Sequence, residues 1–86
     1  MAAEKGPRAV TVGGLYRHFK GMLYTVITIA RHSETGEELV VYRQLYPPYD
    51  TWARPITMFL EPVDRQKYPE CAQTMRFELQ PGRDAT

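Results

Sequence analysis

The stretch that most constrains the fold is residues 22–46, where two runs rich in β-branched and aromatic residues are separated by one polar turn. The turn, Ser33-Glu34-Thr35-Gly36, suits a type I turn followed by a glycine in the left-handed region, which closes a three-residue hairpin loop. β-branched side chains pack well on a pleated surface, so the flanking runs are predicted to be strands. The sequence therefore predicts a long β-hairpin around which the rest of the domain is built.

The predicted loop also fixes the register of the hairpin, with Ser33 opposite Glu37 and His32 opposite Glu38. One face then carries aliphatic residues and is predicted to be the core face: Ile27, Ile29, Leu39, Val41 and Leu45. Arg31 and Arg43 fall on this same face and do not fit it. The opposite face, which is predicted to be exposed, carries the tyrosines: Tyr24, Tyr42 and Tyr46.

Further short β-like runs flank the hairpin at residues 15–19, 51–54 and 74–79, and turn residues separate them. Lys20-Gly21 suits a two-residue turn, which places Tyr16 and His18 on the core side as half-buried residues. Residues 55–61 begin with proline and predict a helical turn near residues 56–60, with Met58, Phe59 and Leu60 turned inward. This spacing predicts an all-β, partly open barrel of about five short strands.

The chain of 86 residues is long enough for one domain, predicted over residues 12–79, with a flexible arm at 1–11 and a flexible tail at 80–86. The 11 basic and 10 acidic residues give a net charge of +1, which argues against charge-driven binding to nucleic acid or membrane. The single cysteine allows no internal disulfide, and no apolar run is long enough to span a bilayer. A cytoplasmic location is expected, since the N-terminus has no apolar segment typical of a signal peptide.

Four residues are weak candidates for catalysis: His18, His32, Glu38 and Cys71. Ser33 follows His32, but neighbouring strand residues point to opposite faces, so this pair favours a turn over a nucleophile and its base. Two histidines and one cysteine without metal-ligand spacing predict no metal site and no cofactor. A reactive thiol needs a nearby cation, and for Cys71 the sequence offers only Arg65 and Lys67.

The aromatic and basic residues predict a ligand-binding surface more strongly than they predict catalysis. Trp52 and Arg54 are two residues apart on one strand, so they share a face. A surface of Tyr, Trp and Arg can stack bases or hold a peptide. The predicted ligand-binding residues are Tyr24, Tyr42, Tyr46, Trp52 and Arg54. The alternative interpretation is that these rings only cover a small core.

Several motifs recur in order over residues 15–63 and together resemble a known bacterial family. They are Tyr16-Arg17-His18-Phe19-Lys20-Gly21, Ile29-Ala30-Arg31-His32-Ser33-Glu34-Thr35, Glu37-Glu38-Leu39-Val40-Val41-Tyr42, Leu45-Tyr46, Trp52, Arg54-Pro55 and Met58-Phe59-Leu60-Glu61. The chain resembles the family called domain of unknown function 1653. The resemblance implies a small SH3-like barrel in a cytosolic bacterial protein, and it implies no activity or catalytic residues. Pro47-Pro48 departs from the Gly-plus-acidic pattern of the family, and residues 65–74 are longer than usual.

The first functional hypothesis is a non-enzymatic binding module for an unidentified protein or peptide, with Arg54 as the fixed charge for a phosphate or carboxylate. The second is a small hydrolase or transferase that uses His18 or His32 with Glu38 or Cys71, which requires a concave pocket around one histidine. The third is single-stranded nucleic-acid binding, which the near-zero net charge disfavours.

Overall fold

The computed structural model of the protein describes residues 10–81. These residues form β1 (Leu15–His18), β2 (Leu23–Arg31), β3 (Glu38–Gln44), β4 (Thr51–Pro55), α1 (Ile56–Phe59) and β5 (Phe77–Leu79). The strands make one antiparallel sheet in the order β4-β3-β2-β1-β5, which does not close on itself. The predicted all-β small barrel of five short strands with one helical turn is thereby confirmed.

The central hairpin forms, but its predicted register is wrong. Arg31, not His32, pairs with Glu38, so the hairpin loop is longer than the predicted one. The imidazole of His32 explains the longer loop, because its Nδ1 accepts the backbone N–H groups of Glu34 at 3.1 Å and Thr35 at 3.3 Å. A register shift of one residue exchanges the two faces of the strand that follows the loop.

A β-bulge in β2 adds a second shift. Val26 pairs with Tyr42 and Thr28 pairs with Val41, so Ile27 has no partner residue in β3. Before the bulge the even-numbered residues Tyr24 and Val26 face inward, and after it the odd-numbered residue Ile29 does. Ile29 packs against the core, as predicted.

The prediction that the aliphatic face is the core face is consequently wrong. Ile27 is 45% exposed and Leu45 is 43% exposed, while Val41 and Leu39 are only partly buried. The two arginines on that face, Arg31 and Arg43, are exposed, as a solvent-facing surface requires.

The core is instead aromatic, and the tyrosines predicted to be exposed belong to it. Tyr24 and Tyr42 are 8% and 5% exposed. Phe59 of α1 meets Tyr42, and it stacks on Phe77 of β5 with ring centroids 4.3 Å apart. Phe77 in turn meets Tyr24. Tyr16, which was predicted to be half-buried, is buried, and it meets Phe59 edge to face at 5.3 Å. The face of the sheet that carries these rings is called the inner face below, and the opposite one is the outer face.

The remaining elements differ from prediction in detail. The β1–β2 turn is longer than the predicted two residues, with His18 and Met22 hydrogen-bonded across it and Gly21 at φ 104°. In α1, Phe59 is buried as predicted, whereas Met58 is 41% exposed, so its predicted inward orientation is wrong. The last strand is shorter than the predicted 74–79.

Both predicted termini fall largely outside the described residues. Of the predicted arm, the structure describes residues 10 and 11, where Val10 packs against the core and the Thr11 N–H donates to the Tyr16 hydroxyl at 2.8 Å. Of the predicted tail, it describes residues 80 and 81, where the Gln80 N–H donates to the Leu15 carbonyl at 2.8 Å. Within residues 10–81, no helix has the length and apolar character needed to cross a membrane.

Candidate functional site

The five predicted ligand residues come together at one side of the inner face, towards β4. They form a hydrogen-bonded group with one further residue, and this group is called the edge cluster: Tyr24, Tyr42, Gln44, Tyr46, Trp52 and Arg54. Cross-strand pairing of Tyr42 with Trp52 brings β3 and β4 side chains to the same face, and Arg54 of the same strand bonds the Tyr42 hydroxyl. The cluster thus joins the aromatic core to the margin of the sheet.

Two of the three tyrosines of the edge cluster, Tyr24 and Tyr46, contact one another. The hydroxyl groups of Tyr24 and Tyr46 are hydrogen-bonded, and the two rings meet edge to face at 5.6 Å. Burial raises the pKa of Tyr24 well above the ordinary value of a tyrosine, and the hydrogen bond to Tyr46 raises it further. Tyr24 therefore supports the cluster from within, while Tyr46 is only partly buried.

Trp52 is the exposed aromatic ring of the edge cluster, and Gln44 holds its indole in place. The Trp52 Nε1–H donates to Gln44 Oε1 at 2.8 Å, and the Gln44 amide donates to the Tyr46 carbonyl at 3.1 Å. Gln44 is 5% exposed, whereas Trp52 is 49% exposed. A buried amide with both ends paired fixes the orientation of a half-exposed ring. Sequence reasoning missed Gln44. It lies two residues after Tyr42 on β3, so both side chains face inward, but this follows only once the register is known.

Arg54 supplies the positive charge of the edge cluster. Its Nε–H donates to the Tyr42 hydroxyl at 3.2 Å. Among residues 10–81, no group accepts a hydrogen bond from its two terminal nitrogens, and no carboxylate pairs with it. A guanidinium held through Nε presents its terminal N–H groups as a fork that matches a carboxylate or a phosphate.

The backbone of β4 beside the edge cluster is open. The Gln44 N–H donates to the Asp50 carbonyl at 3.0 Å, so the backbone groups of Asp50 point towards β3. The direction of the backbone N–H and C=O groups alternates along a strand, so those of Trp52 and Arg54 also point towards β3. The N–H and C=O groups of Thr51 and Ala53 therefore point away from the sheet, and in the described part of the chain no strand pairs with them. Such groups are a template for another extended segment.

The four candidate catalytic residues do not converge. His32 caps the hairpin loop, and Glu38 pairs with Arg31 in the ladder, so the predicted pairing of His32 with Glu38 is wrong. His18 and Cys71 line different depressions of the surface. Between residues 10 and 81, no group of three or more His, Cys, Asp or Glu side chains is placed to hold a metal ion.

His18 is the candidate with the most unusual environment. Its ring stacks on Phe19 at 4.5 Å, meets Phe77 at 5.0 Å, and accepts the Lys20 N–H on Nδ1 at 3.1 Å. Burial lowers its pKa from 6.5 to about 4, and the positive charges of Arg76, Lys20 and Arg54 act in the same direction. The ring is therefore neutral at pH 7.

Two depressions adjoin the β1–β2 turn, and a ridge of Phe19, Lys20 and Tyr68 separates them. On one side lies a cleft of about 220 Å³, called the cationic cleft, whose polar lining is His18, Lys20, Asp64, Lys67 and Arg76. On the other side lies a wide groove of about 560 Å³, lined mainly by apolar atoms and by Cys71. The Cys71 thiol there is half-buried and donates to the Gln73 carbonyl at 3.5 Å.

Comparisons with known proteins agree with this fold. Residues 14–79 match the model of a family described as protein of unknown function (DUF1653). The crystal structure of a protein of this family from Bordetella bronchiseptica is similar to the chain, with 34% sequence identity and a TM-score of 0.62 over 78% of this chain and 83% of that one. None of the curated proteins matches the chain. The chain belongs to the DUF1653 family, as its motifs predict.

Proposed function

We propose that the protein is a non-enzymatic binding module that recognises a protein or peptide segment at the edge cluster. The contact residues are Trp52, Arg54 and Tyr46, and the open backbone of β4 lies beside them. Tyr24 and Tyr42 were predicted to contact the ligand, but both are buried. Their role in this proposal is to position Tyr46 and Arg54 through hydrogen bonds. The observation that carries the proposal is the guanidinium of Arg54, which is fixed through Nε while its terminal N–H groups have no protein partner in residues 10–81.

Preorganisation supports this proposal. Two of the three contact side chains are anchored by buried partners: Trp52 by Gln44 and Arg54 by Tyr42. A ring and a cation that are already oriented lose little conformational entropy when a ligand binds, so more of the interaction energy appears as affinity. Exposed Trp and Arg side chains of this kind dominate the binding energy of many interfaces.

An extended peptide with an acidic side chain fits the site best. Its backbone would add to β4 through the outward N–H and C=O groups of Thr51 and Ala53. An acidic residue opposite Arg54 would then lie about 5 Å away on the same face, within reach of the free terminal nitrogens. The half-exposed indole of Trp52 offers apolar contact area for a neighbouring side chain of that face.

Selection from a peptide display library tests this proposal, because it needs no candidate partner. Peptides selected on the wild-type protein are measured against Trp52→Ala and Arg54→Gln, and each variant is expected to weaken binding by about tenfold or more. Ile27→Ala and Arg43→Gln are matched controls, because both residues are exposed on the outer face. The controls are expected to bind as the wild type does.

Two results would contradict the proposal: selected peptides that bind Trp52→Ala and Arg54→Gln as tightly as the wild type, or equal losses in the control variants. The salt dependence of binding distinguishes peptide binding from the nucleic-acid alternative. Binding to single strands weakens steeply with ionic strength, whereas peptide addition to β4 is expected to depend on it weakly.

One observation favours a second candidate, a small hydrolase or transferase that uses His18. This ring lines a concave cleft beside other titratable groups, which is what the enzymatic hypothesis requires. A pKa of about 4 nevertheless makes it a weak base at neutral pH, and its Nδ1 already accepts the Lys20 N–H. These features favour binding over catalysis.

A further inference from the structure

The cationic cleft lies between the β1–β2 turn and the segment that leads into β5, and no residue of β4 is part of its lining. Residues distant in sequence meet there, since Lys20 lies in the turn, Lys67 lies in the loop after Asp64, and Arg76 directly precedes β5. Its volume of about 220 Å³ is smaller than that of a typical drug-sized pocket and suits a compact group.

Hydrogen-bond donors outnumber acceptors in this cleft. Lys20, Lys67 and Arg76 contribute three positive charges, whereas Asp64 is the one carboxylate of the lining. Asp64 Oδ1 is already engaged, because it accepts the backbone N–H groups of Gln66 at 3.0 Å and Lys67 at 3.4 Å. Within residues 10–81, no carboxylate forms an ion pair with the ammonium group of Lys20 or Lys67. Lys20 and Lys67 are therefore cations of this cleft that have no ion-pair partner among the described residues.

Arg76 also has a hydrogen-bond donor without an acceptor. One terminal nitrogen bonds Glu61 Oε1 at 2.9 Å, but the buried Nε–H has no hydrogen-bond partner among the described residues. A buried donor without an acceptor is destabilising. Glu61 neutralises only part of the positive charge of the cleft.

Lys20 and His18 complete the donor set. The Lys20 ammonium lies 5.9 Å from the centroid of the Phe19 ring and 5.7 Å from that of Tyr68, so two aromatic faces hold it at the rim. His18 accepts the Lys20 N–H on Nδ1, which leaves Nε2 to carry the hydrogen of the neutral ring. Burial is the main cause of the lowered pKa of His18, and the positive charges of Arg76, Lys20 and Arg54 lower it further.

We infer that the cationic cleft binds a phosphate group, with Lys20, Lys67 and Arg76 as charged contacts and His18 as a neutral donor. Phosphate offers several strong acceptor oxygens and a negative charge that Lys20 and Lys67 can offset, together with the Arg76 guanidinium that Glu61 partly neutralises. This inference does not depend on the edge cluster, since the two sites share no residue.

An NMR titration at constant ionic strength tests the inference with two probes, inorganic phosphate and glycerol phosphate. The expected result is saturable movement of the His18 ring signals and of the Lys20 and Lys67 amides. Lys67→Gln is expected to weaken binding by about fivefold or more, and Lys20→Gln combined with Lys67→Gln to abolish it. Arg43→Gln is the matched control, because it removes one positive charge on the outer face, and it is expected to leave the affinity unchanged.

The two probes also distinguish the source of the phosphate. Tighter binding of glycerol phosphate assigns the cleft to an esterified phosphate, and equal affinity assigns it to the free ion. The inference is overturned if neither probe gives saturable shifts, if chloride at the same ionic strength produces the same shifts, or if Arg43→Gln weakens binding as much as Lys67→Gln does. Lys67 is exposed, so its substitution is expected to leave the fold intact.

Discussion

The inner and outer faces of the sheet bury different kinds of side chain. The inner face buries the aromatic rings of Tyr16, Tyr24 and Tyr42 in one cluster with Phe59 and Phe77, and it places the tyrosine hydroxyl groups at its margins. The outer face leaves aliphatic side chains such as Ile27 about half exposed. A small domain gains from this arrangement, because one ring buries about 150–250 Å² while an aliphatic side chain buries less.

The hydroxyl groups make the tyrosine core compatible with a binding surface. A phenylalanine core would end in apolar edges, whereas each tyrosine here ends in a hydroxyl that bonds a neighbour: Tyr24 with Tyr46, and Tyr42 with Arg54. The same rings that fill the core therefore orient the polar groups at the sheet margin. On the inner face, the residues that stabilise the fold also position the candidate site. Neither role depends on the residues of the outer face.

Removal of one ring tests the inner face with the largest expected effect. Phe59 is fully buried, stacks on Phe77 and meets two tyrosines edge to face. Phe59→Ala is expected to lower the free energy of unfolding by about 3–5 kcal/mol, measured by urea denaturation. This is a large share of the stability of a small domain.

Ile27→Ala is the matched truncation on the outer face. Ile27 is 45% exposed at the bulge, so its loss is expected to cost about 0.5–1 kcal/mol. Equal losses for the two variants would contradict the assignment of the core to the inner face.

The half-buried His18 ties the stability of the inner face to pH. Its pKa is about 4 in the folded protein and about 6.5 in the unfolded chain, so between these values the unfolded chain binds the proton and the folded protein does not. The free energy of unfolding is therefore expected to fall as the pH drops from 6.5 to 4. The expected loss is about 1–2 kcal/mol, since solvent screens a half-buried ring.

His18→Asn isolates this contribution. An asparagine side chain can still accept the Lys20 N–H, but it does not titrate. The difference in stability between wild type and variant, measured by thermal unfolding, is expected to change between pH 6.5 and 4. A constant difference across this range would show that His18 protonates equally in both states.

Removal of one hydroxyl has a smaller expected effect than removal of a buried ring, and it tests the link between core and site. Tyr42→Phe keeps the buried ring but deletes the acceptor for Arg54 Nε, and a loss of about 1 kcal/mol is expected. Tyr49→Phe is the control, because Tyr49 is 51% exposed, and a change within about 0.5 kcal/mol is expected. The measurement is again urea denaturation, and a neutral Tyr42→Phe would remove the proposed support for Arg54.

The sequence predicts the elements of this fold because β-branched runs and turn residues are local signals. The hairpin register is not local, since it depends on the His32 ring capping the loop and on a bulge at Ile27. One signal in the sequence argues against the predicted faces: Arg31 and Arg43 both fall on the supposed core face.

The candidate site is predictable in part. The shared face of Trp52 and Arg54 follows from their spacing of two residues on one strand. Gln44 and the cationic cleft are not predictable, because Gln44 acts through the register and the cleft joins Lys20 to Lys67 only in the folded chain. Tertiary packing decides these groupings, and no local pattern records them.

Amide NMR of the protein with the tightest selected acidic peptide tests the central claim, that the inner face presents Trp52 and Arg54 at the open edge of β4. The expected result is that the Trp52 indole N–H shifts and that the amides of Thr51 and Ala53 become protected from exchange with solvent, while Ile27 and Arg43 do not respond. Shifts concentrated on the outer face, with Thr51 and Ala53 still exchanging freely, would contradict the claim.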